Sequence, residues 1–132
     1  MKNLFSTLVM LFAFLLISCE GNAQQTAKNK KSDGIQVIQF HSTHRCITCN
    51  AIEKLSKETL KDFPKIPFKL YNVDDAKNEK LAEQFQATGT SLFLYNPKIG
   101  KIKNLTDFAF STAKNKPEEF KKGLKKEIQN FQ

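Results

Sequence analysis

The stretch Gly34-Ile35-Gln36-Val37-Ile38-Gln39-Phe40, followed by His41-Ser42-Thr43-His44-Arg45 and then Cys46-Ile47-Thr48-Cys49, decides how this chain reads. The first part is rich in β-branched and aromatic residues and reads as a strand, which the polar loop His41 to Arg45 ends. After the loop, Cys49, Ile52, Leu55, Thr59 and Phe63 recur at spacings of three or four, with Leu60 beside Thr59, the mark of a helix with one apolar face. Pro64 and Pro67 end that helix. A Cys-x-x-Cys pair therefore stands where a strand passes into a helix.

Downstream, Phe68-Lys69-Leu70-Tyr71-Asn72-Val73 alternates as a second strand. Asp74 or Asp75 is placed to cap a helix carrying Leu81, Ala82 and Phe85 on one face, with Gly89 closing it. Leu92-Phe93-Leu94-Tyr95 is an apolar strand, Asn96-Pro97-Lys98-Ile99-Gly100 a turn, and Lys101 to Leu105 the returning strand. Asp107-Phe108-Ala109-Phe110 is apolar but committed to no element. Pro117 lies near the start of a last helix, in which Phe120, Leu124, Ile128 and Phe131 form a buried stripe while Lys121, Lys122, Lys125 and Lys126 face water. The order is βαβαββα, without internal repeat, an α/β pattern. Val37, Ile38, Ile52, Leu55, Leu92 and Leu94 are expected to share one core.

Upstream, Met1-Lys2-Asn3 is a short basic start, Leu4 to Ile17 an apolar run, and small polar residues follow, which is the order of an export signal. Fourteen residues of helix rise about 21 Å, short of the roughly 30 Å hydrocarbon core, so a spanning helix is disfavoured. Two processing sites compete. Leu16-Ile17-Ser18-Cys19 resembles the lipobox of bacterial lipoproteins, in which Cys19 would be lipidated and become the mature N-terminus; Gly21-Asn22-Ala23 would suit an ordinary signal peptidase and give a soluble product. The expected organisation is a signal peptide over 1–18, a flexible polar tether over 19–33 and one domain over 34–132. A lipidated Cys19 leaves Cys46 and Cys49 as a pair. The chain of 132 residues carries a formal charge of +8, yet its lysines are spread over nearly every segment, so the excess reads as solvated surface and no nucleic-acid partner is expected.

The element order, with Cys-x-x-Cys at the first strand-to-helix junction, resembles the thioredoxin-like family. The likeness runs from about Gly34 to Phe131 and also rests on Val73-Asp74-Asp75 and on Ala87-Thr88-Gly89-Thr90-Ser91-Leu92-Phe93-Leu94. It implies a four-stranded mixed sheet and thiol-disulfide exchange. Two departures stand out: Ser91 occupies the place of the family's cis-proline, and Arg45-Cys46-Ile47-Thr48-Cys49 replaces the usual Trp-Cys-Gly-Pro-Cys. The first strand also offers Gln39 or Phe40 where the family often keeps a buried Asp as proton acceptor.

At a helix N-terminus, unpaired N–H groups and the positive end of the helix dipole favour thiolate over thiol, so Cys46 is the candidate nucleophile. Arg45, and His44 when protonated, are expected to push the same way. Cys49, one turn further in, suits the resolution of a mixed disulfide. Arg45, Ile47, Thr48, Thr90 and Ser91 are expected to contact the substrate, the last two because the backbone before the third strand is free to pair with an extended segment. Glu53 could assist Cys49 or simply pair with Lys54 or Lys57. Protein thiols or disulfides of the cell envelope are the expected partners, met by a monomer held in the periplasm or on the outer membrane through a lipid anchor, with neither cofactor nor metal. Two alternatives stay open. His41, His44, Cys46 and Cys49 lie within nine residues and are all ligands that copper or zinc accepts; or the pair is a structural disulfide in a non-catalytic interaction module.

Overall fold

The computed structural model describes residues 34–131. The signal segment 1–18, Cys19 and the tether 19–33 lie outside the described residues. Val37, Ile38 and Phe40 take β1 (Gln36–His41) into the middle of a four-stranded sheet of order β2-β1-β3-β4. β2 (Phe68–Asn72) runs parallel to β1, β3 (Ser91–Asn96) antiparallel to β1, and β4 (Lys101–Asn104) antiparallel to β3, so the sheet is mixed. Parallel neighbours need a crossover, and α1 (Ile47–Leu60) makes it. α2 (Glu79–Phe85) links β2 to β3, and α3 (Thr106–Thr112) and α4 (Pro117–Phe131) follow the sheet. No described helix is long and apolar enough to cross a membrane.

The observed order is βαβαββαα, one helix more than the expected βαβαββα. α3 occupies the segment that the sequence left uncommitted. Asn104 Oδ1 accepts from Thr106 N at 2.8 Å, starting the turn, and Leu105, Ala109 and Ala113, spaced by four, bury one face of it. Two capping expectations also change. Asp75 caps only a short 3-10 turn (Ala76–Asn78), through Lys77 N at 3.3 Å, while Asp74 caps nothing and reaches across to another loop. Gly89 does not close α2. Gln86 does, in the left-handed conformation at φ 52°, with Ala87 N bonding back to Ala82 O at 2.8 Å.

Side chains alternate across a strand, and here both faces of the sheet are covered. Val37, Leu92 and Leu94 meet Ile52, Leu55, Ala109, Phe120, Leu124 and Ile128 from α1, α3 and α4. On the opposite face Ile38, Phe40 and Phe93 meet Ala82 and Phe85 of α2. Ile38 therefore belongs to a second core, contrary to the single core expected, because one step along β1 reverses the face. The first face is mainly aliphatic, with Phe120 and Phe131 among its buried residues. The second is aromatic, with Phe85 lying edge-on to Phe93 at 5.2 Å and to Tyr95 at 5.1 Å, and Phe40 edge-on to Phe93 at 5.9 Å.

Candidate functional site

The last residue of β1 and the first of α1 are separated by a five-residue loop, and that loop is tied down at its β1 end. Val73 N donates to His41 O at 2.8 Å, Thr43 N to Asp74 Oδ2 at 2.7 Å, and Asn72 Nδ2 to Thr43 Oγ1 at 3.1 Å. The bond from the Thr43 backbone is the main reason the Asp74 carboxyl is held below its ordinary range, with the charges of His44 and His41 adding to it. Nothing in the sequence beyond the parallel ends of β1 and β2 signals this clamp. Its effect is to fix where α1 begins.

Cys46 is the N-cap of α1, extended at φ −81° and ψ 167°, and its Sγ accepts from Cys49 N at 3.4 Å. A position usually filled by Ser, Thr, Asp or Asn is here filled by sulfur, at the positive end of the helix dipole. Cys46 is exposed and Cys49 fully buried, and both thiols are free. Ile47, between them, is 75% exposed. Thr48 is half-buried, and so is Thr90. A Cβ on Gly89 would sit 3.7 Å from Ser42 Oγ, which brings the loop before β3 beside the loop before Cys46. Ser91 opens β3 opposite Phe40 and is buried, with Oγ donating to Gly89 O at 3.2 Å.

The largest departure from expectation is Arg45. Its guanidinium donates to Glu53 Oε2 and, at 3.8 Å, to Cys49 Sγ, with no described bond to Cys46 Sγ. Burial works against the guanidinium charge, but the bonds to Glu53 and Cys49 outweigh it and hold Arg45 above its ordinary value. Glu53 in turn bridges Arg45 and Lys57; the Lys57 bond is the foremost cause that keeps its carboxyl below the usual 4.5. Glu53 thus belongs to an ion-pair chain behind the buried cysteine, with Lys57 as the lysine partner.

Gln39, and not Phe40, is the β1 residue that faces the pair. It is fully buried, with Nε2 donating to Cys49 O at 2.9 Å and approaching Cys49 Sγ at 3.5 Å. Its Oε1 has no partner among the described residues, and the same holds for Arg45 Nε and Ser56 Oγ.

The four candidate metal ligands are not brought together. His41 Nδ1 bonds the carbonyl of Ser42 at 2.9 Å and His44 is exposed. Among the described residues no group of three or more His, Cys, Asp or Glu side chains could hold a metal ion. The geometry gives the copper or zinc alternative no support.

No protein-family model and no curated protein matches the sequence. Solved structures do. The chain is similar to the thioredoxin of Fasciola hepatica, with 18% identity, a TM-score of 0.50, and coverage of 77% of this chain and 86% of that one. It is also similar to oxidised mitochondrial thioredoxin 3 of Saccharomyces cerevisiae, with 20% identity, a TM-score of 0.48, and coverage of 73% and 81%.

Proposed function

With the thioredoxin-like fold of residues 34–131 as premise, we propose that this protein is a thiol-disulfide oxidoreductase of the cell envelope whose exchanging pair is Cys46 and Cys49. One observation carries the reading: the two thiols sit one helical turn apart, the first exposed at the N-cap and the second sealed beneath it. Cys46, as thiolate, attacks one sulfur of a partner's disulfide; a Cys46–partner bond forms, the partner's bond breaks, and its other sulfur departs as thiolate. Cys49 then attacks Cys46 Sγ. The Cys46–Cys49 disulfide forms, the second partner sulfur leaves, and the proton from Cys49 ends on it. The partner gains two electrons and the pair loses two; the same steps in reverse oxidise a dithiol.

Ile47 offers an exposed apolar contact for a partner segment, Thr48 flanks it, and the half-buried Thr90, where the chain enters β3 at Ser91, is where an extended segment would meet the protein. Arg45 reaches a partner less readily, because its head is engaged inside. The protein is exported and held by lipid on Cys19, in the periplasm or at the outer membrane. It works as a monomer on protein thiols and disulfides.

The test is mechanism-based trapping. Cys49→Ser should accumulate mixed disulfides through Cys46, and Cys46→Ser should accumulate few, read on non-reducing gels of envelope extracts. Equal trapping by the two variants, or none by either, removes the exchange reading. Cys19→Ala should in addition release the protein from membranes or leave an unprocessed precursor; attachment that survives this change defeats the lipid anchor.

A further inference from the structure

The buried sulfur has company that the exposed one lacks. Cys46 Sγ is held by a backbone N–H alone among the described contacts, whereas two side-chain donors meet at Cys49 Sγ: Gln39 Nε2 at 3.5 Å and Arg45 Nη2 at 3.8 Å. The orientation of the Gln39 amide is settled by chemistry, since Cys49 O can only accept and must therefore face the nitrogen. Arg45 is equally fixed, because Glu53 grips its guanidinium and is itself gripped by Lys57. Both groups can donate to a sulfur anion, and among the described hydrogen bonds neither reaches Cys46 Sγ.

We propose that Arg45 and Gln39 serve the second half of the exchange, by stabilising the negative charge that Cys49 Sγ carries as it attacks the Cys46–partner bond. The inference rests on the exchange reading above and adds an assignment of labour to it. The N-terminus of α1 equips Cys46 for capture, and a cation from the residue just before the pair, with an amide from β1, equips Cys49 for release. Glu53 acts one step back, as the positioning residue for Arg45. Its carboxylate reaches Arg45 and Lys57 but makes no bond to Cys49, so charge stabilisation at the buried sulfur comes from a guanidinium that stays cationic and from an amide that does not titrate. The consequence is that the two half-reactions are separately tunable.

The experiment uses the reduced full-length chain carrying Cys19→Ala, so that only Cys46 and Cys49 react. It is mixed rapidly with a nitrobenzoate aryl disulfide whose released thiolate is coloured. Attack by Cys46 releases one aryl thiolate and leaves a Cys46–aryl mixed disulfide; attack by Cys49 releases the second and closes the Cys46–Cys49 bond. Arg45→Met should leave the first phase within about twofold and slow the second by roughly ten- to hundredfold, the loss expected of one charged donor. Arg45→Lys should recover most of the second phase, since it keeps the charge. Gln39→Leu should slow the second phase by a few-fold, about the effect of one neutral donor, and it keeps the proposal testable should Arg45→Met fail to fold. Equal slowing of both phases by Arg45→Met, or a second phase that ignores both substitutions, overturns the role assigned to Arg45 and Gln39. A parent chain that releases one thiolate and stops overturns the exchange reading itself.

Discussion

The two faces of the sheet are built to different standards. The α2 face is a closed aromatic pack in which Phe40, Phe85, Phe93 and Tyr95 meet one another edge-on or tilted. The α1 face is larger and mainly aliphatic, yet it also takes in Gln39, Ser56 and Thr59, and the three buried polar atoms without a partner among the described residues lie at Gln39, Arg45 and Ser56. An unpaired buried polar atom costs about 1–3 kcal/mol. A fold tolerates that where the polar group serves another purpose, as at Gln39 and Arg45 beside a reactive sulfur. The difference teaches that the polar groups around Cys49 are gathered on the α1 side of the sheet.

Phe85→Ala tests the aromatic side most severely. Phe85 is buried and pairs with three other rings, and its loss should cost about 3–5 kcal/mol in urea unfolding while the folded fraction keeps both phases of exchange. A loss of exchange in protein that is still folded would mean that the two faces are not separable. Gly123→Ala tests a close approach on the α1 side. A Cβ there would lie 2.4 Å from Phe108 Cε2, in a ring that stacks on Phe120 at 5.5 Å, so a destabilisation of about 1–3 kcal/mol is expected, reduced by up to about 1 kcal/mol of helix propensity. An unchanged midpoint would show that Phe108 moves freely.

Ser56→Ala removes an orphaned hydroxyl from the same face and should be neutral or stabilising by up to about 1 kcal/mol. A clear destabilisation would mean that Ser56 holds a bound water or an unrecognised partner. The smallest effect concerns pH. The Glu53 carboxyl is held below its ordinary 4.5, foremost by Lys57 and also by Arg45. Its contribution is therefore present above that value and lost as pH falls through the lowered one. Melting temperatures followed into acid should show wild type and Glu53→Gln converging below about pH 4.5 and separated above it. A gap that stays constant into acid would deny the carboxylate this role.

Much of this architecture is legible in residue order. The strand before Cys46, the amphipathic run after Cys49 and the stripe Phe120, Leu124, Ile128, Phe131 all obey local periodicity, and each forms where expected. The exposed Cys46 and buried Cys49 follow from their places on one helical turn. What local pattern could not supply was partnership across the sheet. Ile38 and Val37 are neighbours in sequence and lie in different cores, because the pleat sends them to opposite faces and α2 covers the second. α3 hides in a seven-residue stretch too short for a decisive period, and it forms because Asn104 and the neighbouring α4 complete it. Asp74 looks like a helix cap until Thr43, far away in sequence, claims it.

By itself, then, the order of residues determined that a cysteine pair would stand at the mouth of a helix after a buried strand, since hydrophobic periodicity and helix-breaking residues act over a few positions. Only the tertiary structure decided what lies behind that pair. Arg45 could have served either sulfur, and it turns inward because Glu53, eight residues on, and Lys57, four beyond that, come round on α1 to hold it. Gln39 reaches Cys49 because β1 and α1 pack face to face. A side chain's charge is written in the sequence, but which atom it acts on depends on distances of a few ångströms that the packing of separate elements sets.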